Sequence, residues 1–243
     1  MFLSKLSPNV SAHAFRRDYA NVHDMHRTIM SAFPKLTEGT SVRREHGVLW
    51  RMETSGTGYT LLVQSCTEPD WTQLPKWYLR APAQVRSLQP VLDAIQPGRV
   101  MAFRLVANPT RARAPVGSPP GNRPRGVAKP LYRPEDQISW LLRKGEQHGF
   151  IVPSGSDRRP DVAPAPVPKV IGYKQVDGHE SDRACVREGG RLGRTKITIS
   201  PVRFNGHLVV TDSTALVEAL CAGIGRGKAF GCGLLSLAPA QNY

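Results

Sequence analysis

Apolar residues change their spacing in the same order twice along this chain, and that repetition limits the fold more than any single motif. In the first round, FLSKL (Phe2–Leu6) suits a short half-buried strand that ends at Ser7-Pro8. Phe15, Tyr19, Val22, His26, Ile29, Met30 and Phe33 then follow a 3.6-residue stripe that Pro34 stops, which predicts one helix over 15–33. Residues 48–53 and 59–65 read as strands joined by a turn at Ser55-Gly-Thr-Gly58, 70–82 as a short helix broken at Pro75, and 84–88 as a closing strand. After Pro97-Gly98 the strand VMAFRLV (100–106) opens a second round. A helix over 135–147 carries Ile138, Leu141 and Leu142 on one face, and strands over 195–200 and 208–211 flank a turn at Asn205-Gly206. Asp212 or Ser213 caps a helix bearing Leu216, Val217 and Leu220, and a strand over 234–238 closes the round. Two β-α-β-β-α-β units predict an α+β fold of two tandem ferredoxin-like (RNA-recognition-motif-like) domains, 1–96 and 97–243. The repeat is one of plan, not of sequence.

Charge narrows the partners. In 243 residues, 33 Lys and Arg face 19 Asp and Glu, a net charge of +14, while 40% hydrophobic residues suffice for a core and argue against general disorder. Such a surplus fits a polyphosphate partner, because cations spread over a surface neutralise backbone phosphates and release condensed counterions. The surplus is uneven: from Arg104 through Pro134 there are seven Lys or Arg, seven Pro and no acidic residue, the composition of a basic loop without regular structure. A second basic stretch holds Arg187, Arg191, Arg194 and Lys196, and 153–168 is Pro-rich and expected to be irregular. Cys66, Cys185, Cys221 and Cys232 lie far apart with no C-x-x-C pair, as in a reduced, cytoplasmic protein. No apolar run approaches the roughly 18 residues of a membrane span, so a soluble chain with no membrane partner is expected.

Tyr19, His23 and His26 stand at i, i+4 and i+7 of the predicted first helix, beside Arg16, Arg17 and Arg27. An imidazole can take the proton of a ribose 2′-hydroxyl or give one to a leaving 5′-oxygen, and arginines can hold the phosphate between them, which is enough for RNA cleavage without metal. Helical periodicity taken alone favours the plainer reading, in which His26 simply packs within the stripe. His23-x-x-His26 lacks the third ligand that a catalytic zinc requires, so neither a metal nor any other cofactor is expected.

The C-terminal segment GIGRGKAFGCGLLSLAP places Gly223, Gly225, Gly227, Gly231 and Gly233 around Arg226 and Lys228. Ala229 follows Lys228, where a Walker loop needs Ser or Thr, and the segment follows a helix and opens a strand, the reverse of a dinucleotide fingerprint. It reads as a glycine-rich turn whose amides, with Arg226 and Lys228, approach a backbone phosphate, or else as a tight connection. The basic segments, with Arg111, Arg113, Lys129 and Arg133 in one and Arg194 and Lys196 in the other, suit a duplex or hairpin backbone; Arg143 and Lys144 add charge near a helix C-terminus.

MFLSKL at the start, HRTIMSAFP (His26–Pro34), FRLVANPTR (103–111), WLLRK (140–144) and, above all, the glycine-rich motif together resemble the CasE family of CRISPR-associated endoribonucleases, subunits of the Cascade complex, over nearly the whole chain. The resemblance implies tandem ferredoxin-like domains, metal-independent cutting of CRISPR precursor RNA at the base of the repeat hairpin, and retention of the mature guide RNA within Cascade. It implies that His26 is the catalytic histidine. His23 falls where some members carry an assisting tyrosine, a role that Tyr19 could fill instead. A non-catalytic RNA-binding Cascade subunit of the same fold is the other reading.

Overall fold

The computed structural model describes residues 1–35, 42–56, 58–113, 127–155, 158–175 and 194–240. Its first half runs β1 (Phe2–Leu6), α1 (His13–Ala20), α2 (Val22–Met30), α3 (Val42–Glu45), β2 (Leu49–Ser55), β3 (Gly58–Ser65), β4 (Gln84–Ser87) and α4 (Gln89–Asp93). The sheet order is β2-β3-β1-β4, with every neighbouring pair antiparallel. Period-two alternation turns Leu6, Leu61 and Val63 toward Phe15, Val22, Met25, Ile29 and Phe33 of the helical layer. Each such buried side chain contributes about 1.5–3 kcal/mol.

The second half runs β5 (Val100–Ala107), β6 (Thr110–Arg113), β7 (Val127–Pro130), α5 (Pro134–Gln147), β8 (Phe150–Ile151), β9 (Val162–Pro166), β10 (Val170–Gln175), β11 (Arg194–Ile199), β12 (Val202–Val210), α6 (Ser213–Ala222) and β13 (Leu235–Pro239). Its sheet order, β13-β5-β12-β8, puts the fourth, first, third and second strands of the plan side by side, as in the first half. The fold is thus α+β with two tandem ferredoxin-like domains. Phe103, Leu105, Phe204 and Leu208 of the sheet pack on Trp140, Leu141, Leu216 and Leu220 of α5 and α6.

A buried guanidinium joins the halves. Arg51 of β2 pairs with Glu53 at 2.9 Å and donates to the Leu234 carbonyl at 3.2 Å and Ser236 Oγ at 3.1 Å, while Glu53 also takes Arg104 of β5 at 3.1 Å. Glu53 is only partly buried, so the larger penalty falls on its removal, which would leave the buried Arg51 charge uncompensated.

Several expectations need correction. The single helix over 15–33 is two, broken at Asn21, whose extended backbone (φ −138°, ψ 106°) lets its side chain accept the His23 N–H and cap α2. The helix expected over 70–82 reduces to a short turn at Trp71–Gln73, followed by extended chain past Pro75. The basic segment is regular at its base, where β6 and β7 pair as a hairpin; 114–126 lie outside the described residues. In the Pro-rich stretch, β9 pairs with β12, its prolines tolerated because this is an added edge strand. Asn205-Gly206 is not a turn: β12 passes straight through it. Gly206 serves a close crossing instead, since a Cβ there would lie 2.1 Å from the Asp161 carbonyl oxygen. Among the described residues no helix is long and apolar enough to cross a membrane.

Candidate active site and nucleic-acid interface

Val22, Met25 and Ile29 bury the inner face of α2, so His26, one residue past Met25, sits at the rim of the core, partly covered. Its Nδ1 is buried and has no hydrogen-bond partner among the described residues. Burial first, and then the positive charge of Arg43 on α3 and the neighbouring His23, push the His26 pKa down to about 4. The imidazole is therefore neutral at physiological pH, the state a general base requires. His23 stands edge-on to Phe230 of the glycine-rich segment, with ring centroids 5.0 Å apart. Strand β10 and Phe230 supply the outer wall, Val170 and Phe230 packing on both the first core and the Val106–Ile199–Cys232 cluster.

The depressed pKa has a thermodynamic signature. An unfolded histidine takes its proton near pH 6.5, whereas folded His26 refuses it until about pH 4, so between these values the unfolded state holds more protons. Stability due to this group is complete above pH 6.5 and declines as pH falls toward 4. NMR titration should give the His26 ring a midpoint near 4 in the free protein, moved upward by bound hairpin RNA because a phosphate favours the imidazolium. A free-protein midpoint at 6.5 would show that the ring is not buried among cations.

The second half of α5, the end of β5, the β6–β7 hairpin and the glycine-rich segment enclose a groove of about 430 Å³, lined by Asn108, Trp140, Arg143, Lys144, His148, Gly225, Arg226 and Lys228 among others. Positive-φ glycines set the path of the segment that borders it. Gly225 and Gly227 both have φ +83°, in the left-handed region, and a Cβ on Gly225 would lie 3.0 Å from the Trp140 ring. A β-bridge between Asn108 and Arg226 ties the turn to the end of β5. Burial lowers the Lys228 pKa first, followed by Arg43, Lys144 and Arg44; burial likewise lowers that of His148, followed by Lys144 and Lys228. Every charge named in these shifts is positive. Arg43 appears in the surroundings of both His26 and Lys228, so one cationic field runs from the α2 histidines to the groove.

The structure thus brings Arg143, Lys144, Gly225, Arg226, Gly227 and Lys228 together, and sets His23 and His26 beside them through Phe230 and Arg43. Arg111, Lys129 and Arg133 line a neighbouring groove of about 310 Å³ with Tyr132, which is 69% exposed; Arg111 also pairs with Asp136 at 3.5 Å. Arg113 lies on β6, and Arg194 and Lys196 on β11; Arg123, Arg125, Arg187 and Arg191 lie outside the described residues. Three predicted residues have other partners. Arg17 neutralises the buried Asp18 at 2.7 Å, a hydrogen bond that raises its pKa, and Arg27 pairs with Asp24. Tyr19 leans on Tyr59 and Phe15, with centroids 4.9 and 6.0 Å away, and the break at Asn21 removes it from the helix that carries the histidines. Arg16 is exposed on α1.

Arg43, Arg44, His148 and Phe230 were not foreseen. His46 is a fifth: buried and stacked on Phe33, it donates from Nε2 to the Pro34 carbonyl at 3.1 Å and meets Thr67 Oγ1 through Nδ1 at 2.8 Å. It thereby pins the chain leaving α2 to the end of α3. Only the run Val42-Arg43-Arg44 hinted at any of these, and nothing in the sequence aimed it at His26.

The sequence model of a family described as CRISPR associated protein matches residues 1–239. The chain is 35% identical over 241 residues to the CRISPR-associated endoribonuclease Cse3 of Thermus thermophilus, covering 98% of this chain and 100% of that one. It is 30% identical over 246 residues, with the same coverage, to the CRISPR system Cascade subunit CasE of Escherichia coli. A solved structure of Thermus thermophilus Cse3 bound to an RNA representing a pre-cleavage complex superposes with a TM-score of 0.71 at 31% identity, covering 98% of both chains. The chain therefore belongs to the CRISPR-associated protein family that includes Cse3 and CasE.

Proposed function

We propose that this protein is a metal-independent endoribonuclease that cuts CRISPR precursor RNA at the base of the repeat hairpin and keeps the product as a subunit of Cascade in the cytoplasm. One observation carries the chemistry: a neutral, buried-rim imidazole, His26, whose field among the described residues comes from Arg43 and His23 and from no carboxylate. That field suits a phosphodiester and is the wrong sign for a divalent cation. His26 takes the proton of the 2′-hydroxyl as that oxygen attacks phosphorus; the bond to the 5′-oxygen breaks, and the leaving oxygen gains a proton from water. The products are a 2′,3′-cyclic phosphate and a 5′-hydroxyl. Arg43 and Lys228 stabilise the charge that grows on the non-bridging oxygens. His23, held against Phe230, orients the site, and Tyr19 has no part in it. We assign residues 1–96 to the catalytic half and 97–243 to the half that holds the hairpin, through Arg143, Lys144, Arg226 and Lys228.

Incubating the protein with repeat hairpin RNA in excess chelator should give one cut and a cyclic-phosphate end, and a single 2′-deoxy substitution at the cut nucleotide should abolish cleavage while sparing binding. Cutting of the 2′-deoxy hairpin at the same bond would mean that water is the nucleophile and would sink the mechanism.

A further inference from the structure

The turn before β4 holds a tryptophan out into solvent and has little freedom to take it back. Trp77 is 82% exposed, more than any other large apolar side chain among the described residues. Its φ of +64° lies in the left-handed region, which costs a bulky residue about 1–3 kcal/mol. The surroundings enforce that conformation. Tyr78 N–H donates to the Pro75 carbonyl at 3.0 Å, closing the turn; Asn9 donates from Nδ2 to the Trp77 carbonyl at 3.2 Å and from its backbone to the Tyr78 carbonyl at 2.8 Å. The inward place is taken by Tyr78, which is buried against Phe15 with its hydroxyl donating to Asp18 at 3.0 Å.

Charge says what such an indole would meet. From Trp71 to Leu92 the chain carries Lys76, Arg80 and Arg86 and no carboxylate. Lys76 and Arg80, on either side of Trp77, are exposed and form no ion pair with the described residues. Asp18 beneath the turn is already neutralised by Arg17. An outward-held indole with one cation just before it in the chain and another three residues after it matches a nucleotide, which offers a base to stack and phosphates on both sides. Base pairs inside a stem have both faces covered, so the platform suits an unpaired nucleotide, and a terminal pair stacked there would show as tight binding of the bare hairpin with no gain from the flanks.

We propose that Trp77 is a stacking platform for a base of the single-stranded RNA that flanks the hairpin, with Lys76 and Arg80 on the adjoining phosphates; this rests on the RNA-cleaving function proposed above. The site is separate in sequence and in lining residues from the groove of α5 and the glycine-rich turn.

The test compares binding of one repeat hairpin alone with the same hairpin carrying unpaired flanks, for the wild type, Trp77→Asn and Trp77→Phe. Asparagine accepts the left-handed backbone, so the turn is kept. Stacking of one base should make the flanked RNA bind the wild type about five- to a hundredfold more tightly. Trp77→Asn should lose that gain and Trp77→Phe keep part of it, while all three bind and cut the bare hairpin alike. A flank gain that is absent in the wild type, or equal in Trp77→Asn, overturns the platform. So does a Trp77→Asn protein that keeps the gain but fails to assemble with other Cascade subunits, which would place the indole in a protein interface. Failure of the wild type to bind the bare hairpin would overturn the ribonuclease reading instead.

Discussion

His26→Ala should leave hairpin binding within about twofold of wild type and slow cleavage by about 10²- to 10⁴-fold, the usual loss for one acid–base group. The two effects separate because they draw on different residues. Proton transfer matters only at the transition state, whereas the ground state is assigned, in the function proposed above, to the cations that line the groove, Arg143, Lys144, Arg226 and Lys228. Loss of the ring also leaves the site's positive charge in place, since His26 is neutral in the free protein with a pKa near 4. Single-turnover cleavage and equilibrium binding of the same hairpin distinguish the outcomes. Wild-type cleavage by His26→Ala would return this histidine to a packing role; binding lost along with cleavage would show that the side chain positions RNA. His23→Ala should cost less, because His23 acts through its contact with Phe230.

The architecture was legible where a period or a cap acts locally. The strands at Val100–Ala107 and Gly58–Ser65 and the helix at Pro134–Gln147 lie within two residues of their sequence-based bounds. Failures came where a distant segment decided the conformation. Asn205-Gly206 carries the strongest short hairpin signal in the chain, yet pairing with β5 on one side and β9 on the other keeps β12 extended through it. The apolar stripe from Phe15 to Phe33 concealed the break at Asn21 because both helices bury the same side of the sheet, so the hydrophobic pattern continues across a backbone that does not.

The candidate site was legible only in part for the same reason. His26 and the glycine-rich turn each announce themselves locally, by position on a helix and by five left-handed glycines. Their juxtaposition depends on Phe230 crossing to α2 and on Arg43 coming close enough to act on both His26 and Lys228. No period encodes such contacts. Tyr19 shows the converse: spacing alone put it with the histidines, and a single residue of extended backbone at Asn21 moved its helix out of register.

Replacing Arg143, Lys144, Arg226 and Lys228 together by Ala should weaken hairpin binding by about 10²- to 10³-fold near physiological salt and reduce the slope of log affinity against log salt by about 3 to 4, since each lost phosphate contact removes close to 0.9. The same change should raise the melting temperature of the RNA-free protein. Burial first, and then neighbouring cations, lower the pKa values of both Lys228 and His148, and the cationic part of those shifts means that the charges repel one another until an anion enters between them. Binding and stability should therefore move in opposite directions, a pattern that misfolding cannot produce because it would lower both. An unchanged salt slope would mean that the groove faces something other than the RNA backbone, and a fall in melting temperature would mean that these side chains hold the fold rather than strain it. If the slope and the melting temperature both shift as expected, the cationic field is one the protein tolerates at some loss of stability because its ligand is the phosphate backbone.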